Sequence, residues 1–158
     1  MRSPTWNDAR KTFLITQVVG STGYWTLNDL EYAFEHTLAV NVFDGYNLSS
    51  WGVSSLVTSR TATSFTCSGN GGVYSAGELT PGATYSLSAE VTTTAPGGLS
   101  IRDAATASAE SPQIGNAPAT AGTHTISGTY TATATGIYIR QVGAGTTTVT
   151  SLVAFEVL

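Results

Sequence analysis

LTPGATYSLSAEV, residues 79–91, contains the clearest strand pattern in the chain. Pro81 and Gly82 are typical of a turn, and beyond them apolar and polar residues alternate. Because successive side chains of a strand point to opposite faces, this alternation predicts a half-buried strand. The predicted core side holds Tyr85, Leu87, Ala89 and Val91, and the predicted solvent side holds Thr84, Ser86, Ser88 and Glu90.

The same period of two continues from about residue 41 to the end of the chain. Turn-forming runs such as SGNGG and APGG separate the segments, and residues 102–122 form a long connection of small residues. Many short strands without helical patterns between them predict a mainly β protein, a jelly-roll β-sandwich over residues 42–158. The predicted strands are 46–51, 53–58, 61–67, 84–93, 99–102, 123–131, 136–142 and 147–157.

Composition narrows the possible partners. The chain has 158 residues, of which 10% are charged, and its formal net charge is −4. Its six basic residues are scattered, whereas proteins that bind nucleic acid cluster Lys and Arg against phosphates, so we expect no nucleic-acid partner. The single cysteine, Cys67, excludes an intrachain disulfide and is expected to be a small buried hydrophobic residue.

No segment has the features of a secretion signal or a membrane span. The first residues lack an apolar core, and no run approaches the roughly 20 apolar residues that cross a bilayer. We therefore expect a protein that is made in the cytoplasm and does not insert into membranes.

Residues 1–41 follow a different pattern, with helical spacing. In TLNDLEYAFEHTL, residues 26–38, Leu30, Phe34 and Leu38 recur on one side of a predicted helix whose N-cap is Thr26. A second short helix is predicted upstream, before the GSTG of residues 20–23. Short helices are marginal in water, so the apolar stripe must pack on the β domain, on another copy or on a partner.

Four segments resemble the carbohydrate-binding-module-like jelly roll. They are NLSSW (47–51), ELTPGATYSLSAEV (78–91), GLSIRD (98–103) and VTSLVAFEVL (149–158), and the resemblance covers about residues 44–158. Modules of this kind often hold a calcium ion between a carboxylate near the first strand and an Asp in the last. Asp44 matches the first position, but Ser151 stands at the second. We therefore expect no metal and no cofactor.

The amino-terminal segments WNDARKTFLI and TGYWTLNDLEYAFEHTL are similar to the helix pairs of small virion proteins from tailed bacteriophages. This resemblance implies a non-enzymatic virion structural protein, a head decoration or minor tail protein, assembled in the host cytoplasm. Leu30, Phe34 and Leu38 would dock the arm on capsid or tail proteins. The chain would form a homo-oligomer, a trimer by analogy with other virion jelly rolls.

The alternative hypothesis is a module that binds host cell-surface polysaccharide. Sugar sites combine aromatic rings with a few directed polar groups. The candidate ligand-binding residues are Tyr138, Arg140, Arg102 and Glu90, with Tyr138 and Arg140 in the exposed phase of GIYIRQV (136–142). Arg140 and Glu90 are equally compatible with a cross-strand ion pair, and Trp51 is expected in the core.

No catalytic residue is predicted. The carboxylates do not fall in a context that would position a general acid and base. His36 and His124 are expected to be structural or solvent-facing, and no metal-ligand spacing is present. We therefore expect that the protein is not an enzyme.

Overall fold

Ten strands make up nearly all the regular structure of the domain. The computed structural model describes residues 40–157. A short 3-10 turn, Leu48–Ser50, precedes the strands. The strands are β1 (Gly52–Val53), β2 (Val57–Arg60), β3 (Ser64–Cys67), β4 (Gly71–Tyr74), β5 (Thr84–Thr93), β6 (Leu99–Asp103), β7 (Gln113–Asn116), β8 (Gly122–Thr131), β9 (Ile137–Gln141) and β10 (Gly145–Glu156).

The strands form two five-stranded antiparallel sheets. The first sheet has the order β1-β4-β9-β6-β7 and the second has the order β2-β3-β10-β5-β8. All ten residues of β5 pair with β8, and β5 also pairs with β10 along most of its length. The prediction of a mainly β sandwich is confirmed, and the two sheets are consistent with a jelly roll.

The core lies between the two sheets, as the alternation in β5 predicts. Tyr85, Leu87, Ala89 and Val91 are all buried, whereas Ser86 and Glu90 are exposed. The predicted burial of Trp51 is also confirmed, and Ile101 and Ile139 from the first sheet join the same apolar cluster. Burying each large side chain contributes roughly 1.5–3 kcal/mol, so this cluster is the main source of the domain's stability.

A buried polar contact also joins the two sheets. Gln141 of β9 is fully buried, and its Oε1 accepts a hydrogen bond from Thr147 Oγ1 of β10 (2.7 Å). Thr147 Oγ1 also lies 3.0 Å from Thr93 Oγ1 of β5. The Gln141 amide donates to the carbonyls of Gly143 and Gly145, so both ends of this buried side chain are satisfied.

Two of the predicted strands need correction, and two of the observed strands were not predicted. Residues 46–51 form no strand, because the Asn47 side chain accepts from Ser49 N (3.0 Å) and caps the 3-10 turn instead. Residues 53–58 divide between β1 and β2, which belong to different sheets. Strands β4 and β7 were not predicted; β4 begins with two glycines, and β7 lies within the connection of small residues.

Asn41–Leu158 forms one compact unit by its backbone contacts. The helical arm predicted for residues 1–41, with Leu30, Phe34 and Leu38, lies outside the described residues except at its last two positions. The division into arm and sandwich therefore stays a prediction. Within residues 40–157, no helix has the length and hydropathy needed to cross a bilayer.

Candidate functional site

Two cross-strand rows of polar and aromatic residues lie on the outer face of the first sheet. In the first row, Tyr138 of β9 pairs with Tyr74 of β4 on one side and with Arg102 of β6 on the other. In the second row, Arg140 of β9 lies between Gly72 of β4 and Ser100 of β6.

These residues share one face because they alternate with core residues. Val73, Ile101 and Ile139 are fully buried in the core and take the opposite phase. The outer surface formed by Tyr74, Tyr138, Arg140, Arg102 and Ser100 is called the Tyr–Arg face below.

The Tyr74 ring lies over a glycine, and the Tyr138 phenol lies near Ser54. A side chain at Gly52 would overlap the ring of Tyr74, so the ring occupies the space above that residue. The Ser54 hydroxyl accepts a hydrogen bond from the Gly72 amide (3.0 Å), and its interaction with the Tyr138 phenol partly opposes the rise that burial causes in the pKa of that phenol.

Tyr138 is not the exposed ring that the alternation predicted. Its side chain is only 3% exposed, whereas Tyr74 beside it is half-buried. Burial raises the pKa of the Tyr138 phenol, and its hydrogen bond with Ser54 and the charge of Arg140 partly oppose that rise. Tyr74 is thus the more accessible aromatic surface of the Tyr–Arg face.

The polar groups of this face have unused hydrogen-bonding capacity. Arg102 Nη1 donates to Ser111 O (2.8 Å), but the buried Arg102 Nε has no hydrogen-bond partner within residues 40–157. The Ser100 hydroxyl, on a residue 6% exposed, also lacks a partner there. A buried hydroxyl and a buried guanidinium nitrogen beneath this face are therefore without a hydrogen-bond partner within the described residues.

Glu90 does not belong to this face. It lies on β5 in the second sheet, where it pairs with Thr125 of β8 and Ser151 of β10. Its exposed side chain points away from the core on the opposite side of the sandwich. The proposed ion pair between Arg140 and Glu90 is wrong, because alternation within a strand does not indicate which sheet the strand joins.

Sequence reasoning therefore placed three residues of the Tyr–Arg face together, Tyr138, Arg140 and Arg102, and missed Tyr74 and Ser100. Tyr74 follows the glycines of SGNGG, which were interpreted as a turn. The available signal was the Val73–Tyr74 pair, a β-branched residue followed by an aromatic one, both of which favour strands. Whether any of these residues binds a ligand stays a prediction, as does docking through Leu30, Phe34 and Leu38.

Cys67 is a free and buried thiol, as predicted. Desolvation by the surrounding residues raises its pKa from 9.0 to about 11. A thiol with so high a pKa is protonated at neutral pH and is a poor nucleophile.

The described residues do not fit the calcium site that the resemblance to carbohydrate-binding modules suggests. They contain no group of three or more His, Cys, Asp or Glu side chains that could hold a metal ion. Calcium takes six to eight oxygens, usually with several carboxylates. Near the last strand it is instead the amide of Asn41 that makes contacts, accepting from Ala154 N (2.9 Å) and donating to Leu152 O (3.3 Å).

No protein-family model and no characterised protein matches the sequence. Among solved structures, similar folds occur in the CBM22-1–GH10 modules of endo-1,4-β-D-xylanase 10B from Clostridium thermocellum, complexed with xylohexaose (20% identity, TM-score 0.45, 77% of this chain and 27% of that one). The enzymatically active domain of tailspike protein 4 from bacteriophage CBA120 is also similar (18%, 0.41, 71% and 20%).

A CBM4 structure is similar over 74% of this chain and 84% of its own, at 17% identity and a TM-score of 0.39. The chain spans about a quarter of the xylanase and a fifth of the tailspike structure. At these identities and TM-scores the similarity is loose and concerns the fold alone.

Proposed function

We propose that this protein is a non-enzymatic carbohydrate-binding protein and that the sugar lies on the Tyr–Arg face. The observation that carries the proposal is the pairing register of β4, β9 and β6. It brings two tyrosines, two arginines and a serine without a hydrogen-bond partner onto one face of one sheet.

Sugar recognition needs the kinds of groups that this face provides. The apolar side of a sugar ring packs on an aromatic ring, and its hydroxyls bond to directed polar groups. Tyr74 supplies a half-buried ring whose position is fixed above Gly52. Arg140, whose side chain is half-buried, supplies a charged donor in the next row of the same face, beside the buried Ser100.

We propose binding rather than catalysis at this face, since within residues 40–157 the outward positions of β4, β9 and β6 carry no carboxylate. Glycoside hydrolysis ordinarily uses two carboxyl groups across the scissile bond. Asp103 of β6 has the opposite phase and is buried with its oxygens bonded to Thr133 and Ala134, and Glu90 belongs to the other sheet.

Affinity electrophoresis through gels that contain soluble polysaccharides tests the proposal. We expect at least one polysaccharide to retard the protein and Tyr74→Ala to weaken that binding about tenfold, or ~1.4 kcal/mol. Phe155→Ala is the matched control, since Phe155 is a half-buried aromatic residue of β10 on the outer face of the second sheet.

Phe155→Ala should bind as the unaltered protein does. Equal weakening by the two substitutions, or no retardation by any polysaccharide, would contradict the proposal. Tyr138→Ala is less informative, because removing a buried ring perturbs folding as well as binding.

The virion role suggested by the amino-terminal resemblance is compatible with this proposal and stays a prediction. It depends on the arm of residues 1–41 and on Leu30, Phe34 and Leu38, which lie outside the described residues. Copurification of the protein with intact phage particles, lost in Phe34→Asp, would support it. Sedimentation of the isolated protein as a monomer at high concentration would count against the predicted trimer.

A further inference from the structure

We infer that the ligand is an acidic glycan, one whose sugars carry carboxylate or phosphate groups. The inference rests on the proposed function and names the chemical class of its ligand. It starts from the two arginines of the Tyr–Arg face, Arg102 and Arg140, which are two of the three basic residues in the part of the chain described.

Arg102 and Arg140 are diagonal neighbours on the adjacent strands β6 and β9. Arg140 pairs with Ser100, which lies two residues before Arg102 on β6, and Arg102 pairs with Tyr138, which lies two residues before Arg140 on β9. Diagonal positions of this kind are roughly 7–8 Å apart, so two long arginine side chains can reach the same sugar residue. Ser100 lies directly beside Arg140, on the same strand as Arg102.

The missing hydrogen-bond partners on this face are acceptors. Arg102 Nε can only donate, and the Ser100 hydroxyl has a proton to donate. Within residues 40–157, both atoms are buried without a hydrogen-bond partner. A carboxylate or phosphate offers several acceptor oxygens and pairs with guanidinium groups through charge-assisted hydrogen bonds.

Two carboxylates that could be expected beside these arginines, from the sequence neighbour Asp103 and from Glu90, are placed elsewhere. Asp103 bonds instead to Thr133 and Ala134, and Glu90 lies on the second sheet. Glu110 is exposed on the connection to β7, one residue before the Ser111 carbonyl that Arg102 contacts.

The overall charge of the chain does not by itself favour an acidic ligand. The chain carries a formal net charge of −4, so its long-range field repels polyanions rather than attracting them. Binding to an acidic polysaccharide would therefore require local contacts with these two arginines.

The test uses affinity electrophoresis of the full chain against five polymers. Polygalacturonate and hyaluronate supply carboxylates, and poly(ribitol phosphate) supplies phosphates. Xylan and carboxyl-reduced polygalacturonate are neutral, and the latter differs from its parent only in the acid group. We expect retardation by one or both anionic classes and at least tenfold weaker retardation by the neutral polymers. The two anionic classes then identify which acid group is recognised.

Variants connect the binding to the face. Arg140→Gln should weaken binding to the acidic polymer at least tenfold, and Arg140→Lys, which keeps the charge, should retain part of it. Arg60→Gln on β2 of the second sheet is the matched control and should have no effect. Thermal unfolding of each variant shows whether the fold is retained.

The outcomes separate the inference from the proposed function. Equal retardation by polygalacturonate and its reduced form, or retardation by xylan alone, overturns the acidic class and leaves carbohydrate binding standing. Retardation by none of the five polymers overturns both. Equal loss of binding in Arg140→Gln and Arg60→Gln also overturns the inference, because the effect would not depend on the Tyr–Arg face.

Discussion

Asp103 is the residue on which the turn between β8 and β9 depends. It is buried, and its carboxylate accepts hydrogen bonds from Thr133 N (2.6 Å), Thr133 Oγ1 (2.6 Å) and Ala134 N (3.1 Å). The backbone amides of Thr133 and Ala134 have no strand partner, and the Asp103 carboxylate supplies the acceptor that they need. These contacts engage the Asp103 carboxylate with Thr133 and Ala134 rather than with its neighbour Arg102.

Replacing Asp103 with Ala should lower the free energy of unfolding by about 3 kcal/mol, because two backbone amides lose a charged acceptor. Urea denaturation measures the change. Glu90→Ala is the control, since that exposed side chain should contribute less than about 0.5 kcal/mol. Equal effects of the two substitutions would show that the bonds of Asp103 do not stabilise the turn.

Cys67 allows a chemical test of burial. With a pKa of about 11 instead of 9.0, its thiolate fraction at pH 8 falls about 100-fold. Ellman's reagent should therefore modify the native protein at least that much more slowly than the urea-unfolded protein. Ser68→Cys in a Cys67→Ala background, which places a thiol at the exposed neighbouring position, should react quickly in the native state. Equal rates for the two native thiols would contradict the burial of Cys67.

The same shift has a consequence for stability. A raised pKa means that the folded protein keeps the Cys67 proton where the unfolded chain has lost it. The free energy of unfolding should therefore decrease as the pH rises from about 9 to about 11, and Cys67→Ala should remove this part of the pH dependence.

At the scale of the strand, β4 can pair closely with β9 because Gly72 lacks a side chain. An added Cβ at Gly72 would collide with the carbonyl oxygen of Ile139 and lie 3.1 Å from Arg140 Cα. The backbone of β9 thus approaches β4 too closely for any other residue.

Gly72→Ala should destabilise the domain by about 3 kcal/mol, since the new methyl group forces β4 away from β9. Gly69→Ala is the control, because its Cβ would meet only Leu56 Cδ1 at 3.4 Å, an ordinary contact. Thermal or urea unfolding distinguishes them. A Gly72→Ala protein as stable as Gly69→Ala would show that the two strands have room to separate.

The strands also show how far the sequence could predict this fold. Strand β5 was predicted at its observed bounds, Thr84–Thr93, because one face is buried and the alternation is unbroken. Strand β4 was missed because Gly71 and Gly72 are typical of turns. That these glycines lie in a strand depends on pairing with neighbouring strands, which the local sequence does not show. Strand β7 was missed because it is short and contains a register shift.

The candidate site could also be predicted from the sequence only in part. Alternation placed Tyr138 and Arg140 together opposite the core, and their strand pairs with that of Arg102. The burial of Tyr138 could not be predicted, because it depends on residues that are distant in the sequence, such as its strand partners Tyr74 and Arg102. The location of Glu90 could not be predicted either, because the sheet that a strand joins depends on the whole topology.

At the scale of the whole molecule, the core and its polar contacts define where the sandwich begins. The apolar cluster starts at Phe43, but Asn41 already bonds to Phe43 N, Ala154 N and Leu152 O. Val42 N adds a backbone bond to Ala154 O. Asn41 therefore belongs with the sandwich, one residue before the boundary that the sequence predicted.

A chain that begins at Asn41 should fold cooperatively, and one that begins at Val42 should be about 1–3 kcal/mol less stable because Ala154 N loses its acceptor. Urea denaturation of the two truncated chains measures the difference. If the chain that begins at Asn41 fails to fold, the division of the protein into an arm and an independent sandwich is wrong.

The most direct test of carbohydrate binding at the Tyr–Arg face is an amide chemical-shift titration by NMR. The ligand is a short oligosaccharide of the polymer that most strongly retards the protein in the gel. The proposed function predicts saturable shifts at Tyr74, Ser100 and Arg140, with little change at Ser86 and Thr92 on the outer face of the second sheet. Shifts concentrated at Ser86 and Thr92, or no saturable shift at all, would contradict it.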